Sequence, residues 1–123
     1  PKTDGTVLPI LNLNGYKISN PTIFSRMTNK ELGSYFYALG YKAYLVEGSN
    51  PKTMHNLMAK TMDLVIEQIK EIKEKAKNNE ETPLWPMIIL KTPKGWTGPK
   101  EVDGEKIEGT FNRHKLWRYN FEW

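Results

Sequence analysis

Tyr41-Lys42-Ala43-Tyr44-Leu45-Val46-Glu47, closed by Gly48 and followed at once by Asn50-Pro51, decides the fold class. The first seven residues read as a strand. Asn50 can cap a helix, and Pro51 suits a first helical position, where no backbone N–H is needed. From there Met54, Leu57, Met58, Thr61, Val65, Ile69 and Ile72 recur on one helical stripe. Lys60, Asp63, Glu67, Lys70, Glu71, Glu74 and Lys77 fill the opposite face, several at spacings of three or four that can pair. The spacing predicts a helix over 51–77, ended by 78–83, and Trp85-Pro86 then introduces a strand at Met87-Ile88-Ile89-Leu90.

Upstream, Thr6 to Leu13 is a short, almost continuously apolar run between Asp4-Gly5 and Asn14-Gly15. Continuous hydrophobicity suits a strand buried on both faces, although Pro9 cannot donate to a ladder. Thr28-Asn29-Lys30-Glu31 has the form of a capping box, and Leu32, Tyr35, Phe36 and Leu39 follow at helical spacing before Gly40, which predicts a helix over 29–39. The order strand, helix, strand, helix, strand gives a parallel sheet with right-handed crossovers, an α/β fold. Ligands in such sheets meet the loops beyond the carboxyl ends of strands. Two loops hold those places, Asn14 to Ile18 and Thr92 to Pro99. Three strands are few for an independent domain, so the chain reads as part of something larger, with apolar sheet surface that favours self-association.

Composition narrows the chemistry. The 123 residues allow one ordinary domain; 38% are hydrophobic and 26% charged, so a packed core is expected. The absence of cysteine excludes disulfides, thiolate zinc sites and thiol catalysis. No apolar run approaches the roughly 20 residues of a membrane span, and Pro1 to Gly5 has no apolar signal-peptide core, so a cytoplasmic protein without membrane partners is expected. A net charge of +4, spread among interleaved Glu residues, favours anionic partners weakly and suits phosphate-bearing small molecules as well as nucleic acid.

Several side chains have two readings on their own. The Asn14 carboxamide oxygen could ligate a hard cation, while Asn-Gly is also a common turn. Lys94, between Pro93 and Gly95, could approach an anion or be a solvated loop lysine. His55 reads as a surface or packing residue, and His114 has no neighbouring Ser or carboxylate suggesting a triad. Asp103-Gly104 reads as a hairpin turn between Glu101-Val102 and Lys106-Ile107 rather than half of an acidic cofactor motif. Met54, Met58 and Met62 read as core or interface rather than a cofactor box. Aromatics interleaved with Arg118 in Leu116 to Trp123 carry too few cations for a nucleic-acid interface.

Three strings together carry a resemblance: Asp4-Gly5-Thr6-Val7-Leu8-Pro9 continuing through Asn14-Gly15-Tyr16-Lys17-Ile18-Ser19-Asn20-Pro21; Val46-Glu47-Gly48 with Met54-His55; and Trp85-Pro86-Met87-Ile88-Ile89-Leu90-Lys91-Thr92-Pro93-Lys94-Gly95-Trp96-Thr97-Gly98-Pro99-Lys100. From about Asp4 to His114 the chain resembles phosphoketolases. The resemblance implies a three-layer α/β/α thiamine diphosphate-binding domain, with residues 1–114 a part of its diphosphate-gripping portion and 115–123 a non-matching tail. It implies cleavage of xylulose 5-phosphate or fructose 6-phosphate with inorganic phosphate to acetyl phosphate and an aldose phosphate. Thiamine diphosphate and Mg2+ (or Ca2+) are the implied cofactors, and the parent enzyme is expected to be a homo-oligomer.

By the same resemblance, the Asn14 side chain and the Tyr16 main-chain oxygen match metal ligands, with Gly15 between them beside the diphosphate. Lys94 matches a loop lysine facing substrate, and His114 an active-site histidine near diphosphate and sugar; both are implied to be catalytic and to contact the cofactor. The chain departs from the pattern in Asn12, where a histidine is usual, and in Lys115-Leu116-Trp117, which replaces Gln-Val-Pro-Leu after the histidine. It holds no Gly-Asp-Gly and lacks the domain whose Glu activates the aminopyrimidine, so the isolated chain is expected to be inactive. A transketolase-like fragment, or a non-catalytic anion-binding or interaction module, are the alternatives.

Overall fold

A computed structural model describes residues 5–15, 22–78 and 83–110. Its elements are β1 (Ile10–Leu13), a short 3-10 turn at Phe24–Arg26, α1 (Asn29–Ala38), β2 (Tyr41–Glu47), α2 (Pro51–Lys77), β3 (Trp85–Lys91), β4 (Glu101–Val102) and β5 (Glu105–Lys106). β1, β3 and β2 form a parallel sheet in that order, with β3 in the middle. The chain steps from β1 across to β2 and back to β3. Under the right-handed crossover rule that reversal puts the two helices on opposite faces.

The core shows those two faces. Leu13, Met87 and Ile89 meet Leu32 of α1. Val46 and Ile88 meet Met54 and Val65 of α2 on the other side. Adjacent residues Ile88 and Ile89 therefore serve opposite layers, as the period of two in a strand requires. The expected α/β/α layering is present.

The helix signals act locally as read. The Thr28 Oγ1 accepts from the Glu31 amide at 3.2 Å, while a Glu31 carboxylate oxygen accepts from the Thr28 amide at 2.7 Å. α1 stops at Ala38, one residue short of the expected end, and Gly40 takes a φ of +88°. The Asn50 Oδ1 accepts from the Thr53 amide at 3.0 Å, and α2 has the expected bounds. Leu57 departs from its stripe: it lies at the margin of the buried face and is 37% exposed.

The opening strand is shorter than the run 6–13. It starts at Ile10, because Pro9 contributes only a carbonyl, which accepts from the Ile88 amide at 3.0 Å. Conversely, β3 extends beyond 87–90 to Trp85 and Lys91. Pro86 is tolerated there for a directional reason. Ile88 N and Thr92 N point toward β1 and Trp85 N toward β2, so an N–H at position 86 would face the β1 side, ahead of the first β1 pair, Ile10 with Ile88. The hairpin turn lies at Asp103-Gly104 with φ of +52° and +76°, but the return strand is Glu105–Lys106, and Ile107 turns into the interior at 3% exposure.

Candidate functional site

All three parallel strands end at one level. Leu13 and Glu47 both stand in register with Lys91. The Thr92 amide donates to the Leu13 carbonyl at 3.3 Å, and the Gly48 amide donates to the Lys91 carbonyl at 3.1 Å. Asn14, Gly48 and Thr92 thus form the next tier, just past the sheet, where α/β proteins bind ligands.

Asn14 and Gly15 line a cleft of about 400 Å³ at this end, together with Glu47, Ser49, Lys91 and Thr92. Asn14 also lines a second hollow of about 220 Å³, with Asn12, Thr92, Pro93, Gly95 and Trp96. It therefore stands on the ridge between the two. Gly15 adopts a φ of +89°, in the left-handed region that favours glycine.

The loop after β3 is tied down. The Trp96 indole N–H donates to the Ser49 carbonyl at 2.7 Å, and its ring packs on the α2-side core. The Gly109 amide donates to the Lys94 carbonyl. Lys94 is at the same end of the sheet as Asn14, but it is 5% exposed and does not line either cleft. Desolvation pushes its amine below the ordinary lysine value of 10.5. Tyr16, His114 and the tail 115–123 lie outside the described residues. His55 lies on an exposed turn of α2.

A polar ring that sequence reasoning missed borders the larger cleft. The Lys91 Nζ donates to the Asn29 Oδ1 at 3.0 Å and stands 3.3 Å from a Glu47 carboxylate oxygen, while the Asn29 Nδ2 donates to the other Glu47 oxygen at 3.0 Å. Asn29 and Lys91 are 62 residues apart, so only the strand order brings them together.

Among the described residues no group of three or more His, Cys, Asp or Glu could hold a metal. A hard cation here would take an amide oxygen from Asn14 and its remaining oxygens from elsewhere, which suits an ion shared with an anionic group better than a self-contained cage. The residues fit such a group to that extent. Among the described residues no helix is long and apolar enough to cross a membrane.

Residues 1–118 match the family model described as the XFP N-terminal domain. The chain is 57% identical over 118 residues to probable phosphoketolase 2 of Lactiplantibacillus plantarum, and equally to a probable phosphoketolase of Clostridium acetobutylicum. It is 50% identical over 118 residues to a xylulose-5-phosphate phosphoketolase of Lactiplantibacillus pentosus. Each match covers 94% of this chain and 15% of the relative, so the chain spans about 15% of the length of these curated relatives.

Proposed function

We propose, from the premise that this chain belongs to the XFP N-terminal domain family of the phosphoketolases, that it is the cation-holding segment of a thiamine diphosphate-dependent phosphoketolase. The parent enzyme would split xylulose 5-phosphate or fructose 6-phosphate with inorganic phosphate, releasing acetyl phosphate and an aldose phosphate. The observation that carries the reading is the position of Asn14, one residue beyond β1 at the common carboxyl end of all three strands and lining both clefts.

The carboxamide oxygen of Asn14, with the Tyr16 main-chain oxygen, would hold Mg2+ or Ca2+ beside the cofactor. The chemistry such a cofactor would supply is a nucleophilic carbon. Lys94 would meet phosphate or developing negative charge with its ammonium. Because Lys94 lies off the lining of both clefts, that contact requires a neighbouring part of the enzyme to complete the pocket or the Pro93–Gly95 bend to turn. His114 would donate a hydrogen bond or move a proton at the sugar oxygens. The matched residues would thus supply one portion of a domain in a cytoplasmic, homo-oligomeric enzyme.

The test is made on the intact parent enzyme with xylulose 5-phosphate, thiamine diphosphate and Mg2+. Acetyl phosphate should form, and only when inorganic phosphate is present. Ketol transfer to an aldose acceptor without any phosphate requirement would instead make the parent transketolase-like and overturn the reading.

A further inference from the structure

The ring of Asn29, Glu47 and Lys91 joins the first residue of α1 to the last residues of β2 and β3. We propose that these three side chains are positioning residues that hold the β2 and β3 ends level with Asn14, so that the cleft keeps its shape for an anion–cation pair. The inference rests on the phosphoketolase reading for its ligand, and on the observed bonds for its geometry.

Global stability does not account for the ring. Lys91 and Glu47 side chains are 32% and 44% exposed, and a pair so open to water adds little to the stability of the whole fold, so its effect is local to the strand ends. What the ring does uniquely is close on itself: every member bonds to both of the others. Strand ends fray first, because their outermost hydrogen bonds have neighbours on one side only. Here the outermost bonds are Gly48 N–H to Lys91 C=O and Thr92 N–H to Leu13 C=O, and both involve residues lining the cleft. Lys91 is common to both tiers: its carbonyl accepts from Gly48, and its ammonium draws Glu47 and Asn29 together. The substitution Lys91→Met keeps a long unbranched side chain and removes both of the ammonium's attractions at once.

Glu47 also matters electrostatically. It cancels the Lys91 charge beside the cleft, leaving a bound cation to set the local potential and keeping the ammonium from drawing the anion away from Asn14.

Two readouts in the intact parent enzyme decide the matter. Hydrogen exchange at the Gly48 and Thr92 amides should accelerate about tenfold in Lys91→Met, with exchange in the middle of β3 unchanged; unchanged exchange at both amides overturns the proposal whether or not the enzyme is active. The half-saturating Mg2+–thiamine diphosphate concentration should rise about tenfold, as for other residues that orient ligands from behind, and more than kcat falls. Lys91→Arg, which keeps the charge and donors, should recover most of both effects. A loss in Lys91→Met that Lys91→Arg does not recover, or an equal fall in kcat with no change in cofactor affinity, also overturns it. A parent that makes no acetyl phosphate removes the functional reading and leaves the exchange measurement to judge the ring.

Discussion

The Trp96 indole N–H reaches the Ser49 carbonyl oxygen at 2.7 Å, fastening the loop after β3 to the approach to α2. The bond crosses 47 residues of sequence and leaves Lys94 in a loop held at both ends, since Gly109 donates to the Lys94 carbonyl. Trp96→Phe keeps a smaller ring against the α2-side core and removes the N–H together with part of the packed indole surface. The expected cost is about 1–3 kcal/mol, an ordinary hydrogen bond plus the lost apolar area, with faster amide exchange confined to residues 94–98. Loss spread evenly over the sheet would show that the contact is not a local fastening.

Lys94 should give this protein an alkaline signature. Burial holds its amine below the ordinary value of 10.5, so the unfolded chain binds more protons than the folded one between the lowered value and 10.5. Linkage then makes stability rise with pH through that window, not fall. The difference in urea midpoint between the protein and Lys94→Met should move in the protein's favour as pH is raised toward 10.5. Catalysis that needs the ammonium should fade over the same window, earlier than an exposed lysine would allow.

Much of this architecture was legible because its signals are local. The capping box at Thr28 and the Asn50-Pro51 start declare themselves within four residues, and the bounds of α2 follow. Strand ends were less legible: Pro9 and Pro86 look alike in sequence, yet one precedes an edge strand and the other is absorbed into the central one, depending on which way each amide would point. Asn14 could be placed at a strand's carboxyl end from the β–α order alone. The Asn29–Glu47–Lys91 ring could not, because it depends on β3 lying between β1 and β2. The enclosure of Lys94 was likewise invisible, since a Pro-Lys-Gly bend reads as solvated until the hairpin beyond it packs back.

Ile88 and Ile10 are paired neighbours in the sheet but differ in burial, at 0% and 50% exposed. Ile88→Ala leaves a cavity beneath α2 and should cost about 2–5 kcal/mol. Ile10→Ala removes a side chain that is half in water and should cost about 1 kcal/mol. Urea titration of both variants checks the ratio, and near-equal losses would mean that the β1 edge is covered in solution.

At the start of α1, Thr28→Ala removes the hydroxyl that accepts from the Glu31 amide, at an expected cost of about 1 kcal/mol. The Thr28 amide, and then its hydroxyl, hold the Glu31 carboxyl below its ordinary value of 4.5. A depressed carboxylate contributes its stability above 4.5 and loses it as pH falls through the lowered value, so the gap between protein and variant should narrow in acid. Thermal melts at neutral and acid pH measure that gap.

Asn14 offers the sharpest division between a ligand and a turn residue. A turn role depends on backbone conformation and local hydrogen bonding, which Asp supports nearly as well as Asn and Ala does not. A cation-ligand role depends on an oxygen donor, which Asp also keeps, with an added charge, and Ala lacks. The two roles separate in what the cation does. If Asn14 only shapes the turn, Asn14→Ala lowers the melting temperature by the same amount with and without Mg2+ and thiamine diphosphate. If it ligates, the intact enzyme gains stability from the added cation and cofactor because they bind the folded state alone, and Asn14→Ala loses most of that gain. Asn14→Asp should retain it and shift half-saturation to lower Mg2+, since a carboxylate binds a hard cation more strongly than an amide. A cofactor-induced melting shift that is identical in all three proteins would remove residue 14 from the metal site.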